Sequence, residues 1–312
     1  MQTSPLNFFE TLLSHSMNRN SFDSMPDWFE CFIKETKYIP STLEQAALGG
    51  RLSNNMSFAF AAGYQSAIQS LFKPDYRQLS SLCISEHEGN HPRAIKCSLT
   101  QHGQNRHLNG SKSFITGANE AEFLYVAATT GFNINNRPNI KMLSFQANLE
   151  GIKIRKMKPL PFVPEISHGT ATFKQVTLKS QQILEGDGYT NFVKPFRTHE
   201  DIHVLAAIIG FRIGEAIDSN WSHDSVEAHL SLLASLLPLE PNNFNQASTH
   251  LILAGCRSQL KVLIQQTDDQ FKQNNIKGFE EWRRDKALLE IASKAHKIRT
   301  NRAWDILEGN GR

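Results

Sequence analysis

The 312-residue sequence predicts an α+β fold in three parts: N-terminal helices, a middle antiparallel β-barrel or sandwich, and a C-terminal helical bundle. Three changes of texture predict it. Residues 58–71 are rich in Ala and large apolar side chains, as a buried helix would be. Residues 82–185 break into short apolar runs punctuated by Gly131, Pro138, Gly151, Pro159, Pro161 and Gly169. From residue 192 onward long apolar stripes return at helical spacing. The expected boundaries are 1–80 for the N-terminal helical segment, 81–190 for the β-domain and 191–312 for the C-terminal helical domain.

In chain order, Phe29, Phe32 and Ile33 recur on one helical face, and Pro74 stops the helix that covers 58–71. Ile95, Cys97 and Leu99 alternate with Lys96 and Ser98, the pattern of a half-buried strand. Residues 101–105 read as a turn, and Asn109-Gly110 as a second one. Residues 124–130, 142–145, 152–154 and 171–176 are further strands. Helices are expected over 204–217, 226–237, 251–271 and 280–307, the last as one amphipathic run carrying Leu288, Ile291, Ala292, Ala295, Ile298 and Arg302. No internal repeat is visible.

A chain that is 40% hydrophobic and 20% charged can bury a sizeable core. Its net charge of +3, without a long Lys/Arg run, gives no nucleic-acid footprint. Cys31, Cys83, Cys97 and Cys256 are scattered and form no CxxC pair, which suits a reducing compartment rather than a disulfide framework or zinc ribbon. Residues 1–20 lack the basic start and apolar run of a signal peptide. No apolar stretch approaches the ~20 residues of a membrane span. By elimination the expected location is cytoplasmic, with no membrane partner.

His87-Glu88-Gly89-Asn90-His91 matches HExxH, the zinc-hydrolase motif that needs a helix to put both histidines on one face. Gly89, Asn90 and the following Pro92 oppose a helix, so the segment reads as a polar loop after a strand. A zinc hydrolase resting on this motif is the remote alternative.

Leu82-Cys83-Ile84-Ser85-Glu86 resembles the segment that opens the β-domain of acyl-CoA dehydrogenases. Downstream, Leu108-Asn109-Gly110-Ser111-Lys112-Ser113-Phe114-Ile115-Thr116-Gly117-Ala118 resembles the family's "LNGxKxWITxA" signature, in the right order and at about the right separation. The resemblance implies the family's fold and FAD as cofactor. A flavin needs hydrogen-bonding groups at its edge and apolar or aromatic surface over its face. By resemblance Ser85 and Thr116 take the positions that meet the flavin edge, Phe114 takes that of the tryptophan flanking the ring, and Ile84 lies on the same strand. The plain alternative is that Phe114 and Ile115 are ordinary alternating strand residues. His91 takes the position of the serine that contacts flavin or substrate.

Residues 198–210 resemble the family's first long C-terminal helix, and counting back from Gly210 puts Glu200 at the position that two branches use for the catalytic base. Such a base removes the α-proton of the thioester. Glu200 also reads as an acid favoured by the helix dipole at a helix start. The resemblance further implies an acyl-CoA or related thioester as substrate, a place in fatty acid metabolism, an electron-transfer flavoprotein as electron acceptor, and a homodimer or homotetramer.

The sequence departs from the family in four places. The loop after Glu86 reads His87 to Pro92 instead of Pro-Gly-x-Gly-Ser-Asp, and Asp201 stands where Arg is usual. Neither an R-x-x-F-G segment nor a Q-x-x-G-G-x-G loop is recognisable. Arg257, Arg283 and Arg284 could serve a pyrophosphate, but are expected as solvated surface. These departures keep open a non-catalytic paralogue that retains the fold and binds FAD weakly or not at all.

Overall fold

The structure is a computed structural model that describes residues 5–14, 17, 19, 21–103, 105–239 and 246–309. The expectation about a signal segment in residues 1–20 falls partly outside them. Two compact units are present: Met1–Phe72, Pro161–Val163 and Thr198–Arg312 form one, and Lys73–Leu160 with Pro164–Arg197 the other.

The helical unit opens with α1 (Pro5–Leu13), α2 (Met25–Thr36), α3 (Thr42–Leu52) and α4 (Met56–Phe72). Ser24 caps α2 by accepting the Asp27 amide, and Ser41 caps α3 by accepting that of Glu44. Trp28 stacks on Phe32 and Phe58 with ring centroids 5.1 and 6.0 Å apart, binding α2 to α4. Phe29 and Phe32 are buried as their spacing predicts, while Ile33 is only half-buried.

The C-terminal helices are α5 (Lys194–Asp218), α6 (His223–Leu236), α7 (Ala247–Asn274), α8 (Ile276–Asp285), α9 (Leu288–Ile291) and α10 (Ser293–Leu307). The backbones of α3 and α5 touch. A Cβ at Gly50 would lie 1.9 Å from the Ala207 carbonyl oxygen, and one at Gly210 2.0 Å from that of Ala47. Buried Arg212 ties α5 to α7 and α8. Its guanidinium lies 4.8 Å from the Trp221 and Trp282 ring centroids and donates to Asp268 Oδ1 at 3.1 Å. The run over 280–307 is broken into α8, α9 and α10 rather than forming one helix. Asp285 turns inward there, and its carboxylate accepts the Val163 amide at 2.8 Å. Ile291 and Ile298, counted in the apolar stripe, are exposed. No helix among the described residues is long and apolar enough to cross a membrane.

The other unit holds a seven-stranded mixed sheet: β1 (Ser80–Cys83), β2 (Ser98–His102), β3 (Asn105–Thr116), β4 (Phe123–Phe132), β5 (Pro138–Gln146), β6 (Ile152–Lys156) and β7 (His168–Leu178). Neighbours pair antiparallel except where β4 takes β1 and β2 in parallel. Those two pairings join strands that no hairpin connects. Leu108, Leu124, Val126, Phe145, Phe173 and Val176 fill the core. Ile95, Cys97 and Leu99 are buried, but only Leu99 lies in a strand. Asn109-Gly110 is not a turn. Both residues sit inside β3, where Gly110 adopts φ +134° at a register shift and a Cβ would meet Cys97 Cα at 2.7 Å. A glycine in a strand marks a bulge as readily as a turn, and here the close approach of Cys97 requires it.

Candidate functional site

In the β-unit the chain leaves β1 through Ile84, Ser85 and Glu86 and runs beside β3. An ion pair fixes that course. Lys112, only 1% exposed, donates its Nζ to Glu86 Oε1 at 2.7 Å and to the Ile84 carbonyl at 3.1 Å. The Glu86 carboxylate also accepts the Lys96 and Cys97 amides at 2.9 and 3.0 Å. The Ser85 carbonyl accepts the Ser113 amide at 2.8 Å. Lys112 and Glu86 are contacts the sequence reading passed over, although one opposite charge in each of two apolar motifs was the available signal.

The next residue is Phe114. The β3–β7 register shifts between Lys112 and Ile115, and in that bulge Phe114 takes φ +53° with its side chain 60% exposed. A bulky residue at positive φ is strained by about 1–3 kcal/mol, and bulges re-aim side chains. Phe114 is therefore not an ordinary alternating strand residue. Thr116 lies two residues on, with its carbonyl accepting from Ser81 Oγ at 2.6 Å. Its hydroxyl faces buried His168 Nε2 at 3.4 Å. Burial lowers the His168 pKa, so the ring is neutral. His168 Nδ1 faces the Ile166 carbonyl at 3.2 Å and carries the proton, which leaves Nε2 to accept from Thr116 and the Thr116 oxygen to act as acceptor. Ile84 and Ser85 thus run beside β3, the strand that carries Thr116 and the exposed Phe114.

His91 lies elsewhere in this unit. It caps the 3₁₀ turn Pro92–Ala94, its Nδ1 accepting the Arg93 amide at 3.3 Å, and lines a cavity of about 560 Å³ with Arg93, Arg137 and Tyr189. None of Ile84, Ser85, Phe114 and Thr116 lines that cavity. The HExxH match is a tight turn: Glu86 and Gly89 exchange two amide hydrogen bonds of 2.9 Å, with Gly89 at φ +107°. No cluster of three or more metal-ligating side chains occurs among the described residues.

In the helical unit, Glu200 is half-buried on α5. A π-helical segment, Tyr189–Val193, leads directly into Lys194, so Glu200 is beyond the first turn, where the dipole's effect is spent. It lines a cavity of about 170 Å³ whose other walls include Phe60, Val204, Ile208, Leu288 and Ile291. Asp201 beside it accepts from His296 Nε2 at 2.8 Å and from Arg299, with Arg257 at 3.8 Å. Three side chains from α7 and α10 thus surround Asp201, and no local spacing could have announced them. Arg257 and Arg284 are not solvated surface. Arg257 also donates to the Leu289 carbonyl at 3.0 Å, and Arg284 to buried Asp285 at 2.6 Å. Exposed Arg283 pairs with Glu280.

No family model and no curated protein matches the sequence. Solved structures do. An FAD-dependent dehydrogenase superposes with a TM-score of 0.72 at 14% identity, over 99% of both chains. The prolyl acyl carrier protein oxidase AnaB gives 0.70 at 13% identity, over 95% of this chain and 97% of its own. Butyryl-CoA dehydrogenase from Megasphaera elsdenii gives 0.66 at 11% identity, over 96% and 89%. At these identities the likeness establishes the fold alone: this chain has the acyl-CoA dehydrogenase fold.

Proposed function

We propose that this chain is a flavin-dependent oxidoreductase, with FAD as its flavin, that oxidises a CH–CH bond of an acyl-CoA or a related thioester. The observation that carries the reading is Phe114, an exposed aromatic held at positive φ in a bulge beside Ser85 and Thr116. Natural folds keep such strain where a function uses it. The donors and acceptors around it suit a flat heterocycle: an aromatic face, a hydroxyl acceptor at Thr116, and a Ser85 segment pinned by the buried Lys112–Glu86 pair. When bound, FAD supplies the acceptor for the hydride that leaves the β-carbon.

The chain's own part in the reaction falls to Glu200. Its carboxylate takes the α-proton as general base, and the apolar walls of its cavity exclude water and hold the acyl group. Arg257 and Arg299 neutralise Asp201, a second carboxylate that would otherwise face the same substrate. A carrier-linked thioester is within the proposal because AnaB, an acyl carrier protein oxidase, shares the fold. An electron-transfer flavoprotein is the electron acceptor we propose. Exposed Val262 on α7 and Ile298 and Trp304 on α10 support a homodimer or homotetramer.

The test is titration of the purified protein with FAD, followed by visible absorbance. The reading expects saturable binding, weakened about tenfold by Phe114→Ala for loss of an aromatic contact. Protein that stays colourless in excess FAD overturns it. One observation favours that second reading, a non-catalytic paralogue: Arg257, Arg283 and Arg284 are all engaged by groups of this chain rather than held out for a pyrophosphate.

A further inference from the structure

The β4–β5 hairpin of the β-unit ends in an apolar tip that the fold leaves uncovered. β4 and β5 end their pairing at Phe132 and Pro138, and residues 133–137 make the turn between them. Asn133 fixes that turn. Its amide donates to the Arg137 carbonyl at 2.9 Å, and its Oδ1 accepts the Asn135 and Arg137 amides at 3.0 and 2.9 Å. On this rigid support Phe132 is 59% exposed and Ile134 is fully exposed. Residues 131–139 contain no carboxylate. The cavity of about 560 Å³ that His91 lines opens beside the turn, between Asn133, Arg137, Arg93 and Tyr189. The 3₁₀ turn that carries Arg93 packs on β5. Arg93 and Arg137 are both exposed, and among the described residues neither lies within ion-pair distance of a carboxylate. The carboxylate on the cavity wall, Asp187, is already engaged: its Oδ1 accepts the Tyr189 and Thr190 amides at 3.1 and 2.7 Å.

Two large apolar side chains on a stiff turn, beside two guanidiniums with no counter-charge, complement the boundary between headgroups and acyl chains of an anionic bilayer. A protein partner is the poorer fit. An ordinary interface needs about 800 Å² on each side around a contiguous apolar centre, and one hairpin tip supplies far less. We propose that the β4–β5 hairpin docks this protein on an anionic lipid surface. Phe132 and Ile134 enter the interfacial layer, and Arg93 and Arg137 meet lipid phosphates at the mouth of the cavity. The expectation of no membrane partner rested on spanning segments alone, and a surface contact needs none. This inference is independent of the flavin and thioester reading.

Co-sedimentation of the full chain with lipid vesicles tests this. The protein should pellet with vesicles of equimolar phosphatidylcholine and phosphatidylglycerol, less so as salt rises, and stay in solution with phosphatidylcholine alone. Combined Arg93→Glu and Arg137→Glu should weaken binding about tenfold or more, and combined Phe132→Ser and Ile134→Ser about tenfold. All four side chains are exposed, so these variants should fold, which far-UV circular dichroism checks. Combined Arg93→Lys and Arg137→Lys should bind as the parent does. Combined Lys153→Glu and Arg155→Glu makes the same change of charge on exposed positions of β6 and should leave binding unchanged. An equal loss in that β6 variant would reduce the effect to net charge and overturn the proposal. Unchanged binding in either hairpin variant, equal binding to both kinds of vesicle, or binding to neither overturns it as well. Retention on immobilised poly-glutamate without vesicle binding would assign the surface to an acidic protein instead.

Discussion

Replacing Lys112 with Met should destabilise the protein by about 3–5 kcal/mol, the usual result of removing one partner from a buried ion pair. Lys112 is 1% exposed, the Glu86 side chain is 9% exposed, and Glu86 Oε1 lies 2.7 Å from Lys112 Nζ, so little water can reach the place of the lost ammonium. The Glu86 carboxylate keeps the Lys96 and Cys97 amides but loses Lys112, its ion-pair partner among the described residues. The Ile84 carbonyl loses a 3.1 Å donor, a further part of the loss worth about 1–3 kcal/mol. Against a total stability of about 5–15 kcal/mol this is a large fraction. Urea unfolding followed by far-UV circular dichroism measures it, as a midpoint lowered by about 1–2 M. The double variant Lys112→Met, Glu86→Gln should lose clearly less than the sum of the two singles, because each single strands the other's partner. A Lys112→Met protein within about 1 kcal/mol of the parent, or strict additivity, would refute the reasoning. Either result would also detach the Ile84–Ser85 segment from its proposed anchor.

Acid should weaken the fold well above the range in which carboxylates titrate. Burial lowers the pKa of His203 to about 3 and that of His229 to about 4, whereas both titrate near 6.5 when unfolded. The unfolded chain therefore binds protons that the native state refuses. Stability is fully present above pH ~6.5 and falls as pH drops toward the folded values, by about 2 kcal/mol per histidine between pH 7 and 5. Thermal midpoints across that range check this, and His203→Gln should flatten the profile. Gly210→Ala should cost about 3 kcal/mol or more, since its Cβ would lie 2.0 Å from the Ala47 carbonyl oxygen. Gly255→Ala on α7 meets nothing within 4 Å and should instead stabilise by about 0.5–1 kcal/mol, both read by thermal unfolding.

Much of the fold was legible because periodicity reports burial. The order of helices, strands and helices follows from where apolar spacing changes from 3.6 to 2, and β4, β5, β6 and β7 lie where the short apolar runs do. Local chemistry was less decisive. Asn109-Gly110 carries the dipeptide of a hairpin turn, yet the approach of Cys97 holds it inside β3 as a bulge. The stripe through Ile291 and Ile298 looked like one helix because spacing cannot distinguish an apolar face that packs from one left exposed. The site divides in the same way. Ile84, Ser85, Phe114 and Thr116 are neighbours because two local motifs run side by side. The partners of Asp201 come from residues 257, 296 and 299, and only tertiary folding gathers them. His91 shows the reverse. It is prominent in sequence, but it turns to cap a 3₁₀ turn beside a different cavity.

The proposed oxidation needs both a bound flavin and Glu200 as its base, and anaerobic reduction of the flavin tests the two together. FAD-loaded protein is mixed anaerobically with a panel of acyl-CoA thioesters, and bleaching of the visible flavin band is followed for the parent and for Glu200→Gln. A thioester should bleach the parent, and the Gln variant should hold the same FAD and bleach at least ~10²-fold more slowly. Flavin that no thioester bleaches, or a Gln variant that matches the parent's rate, would contradict it.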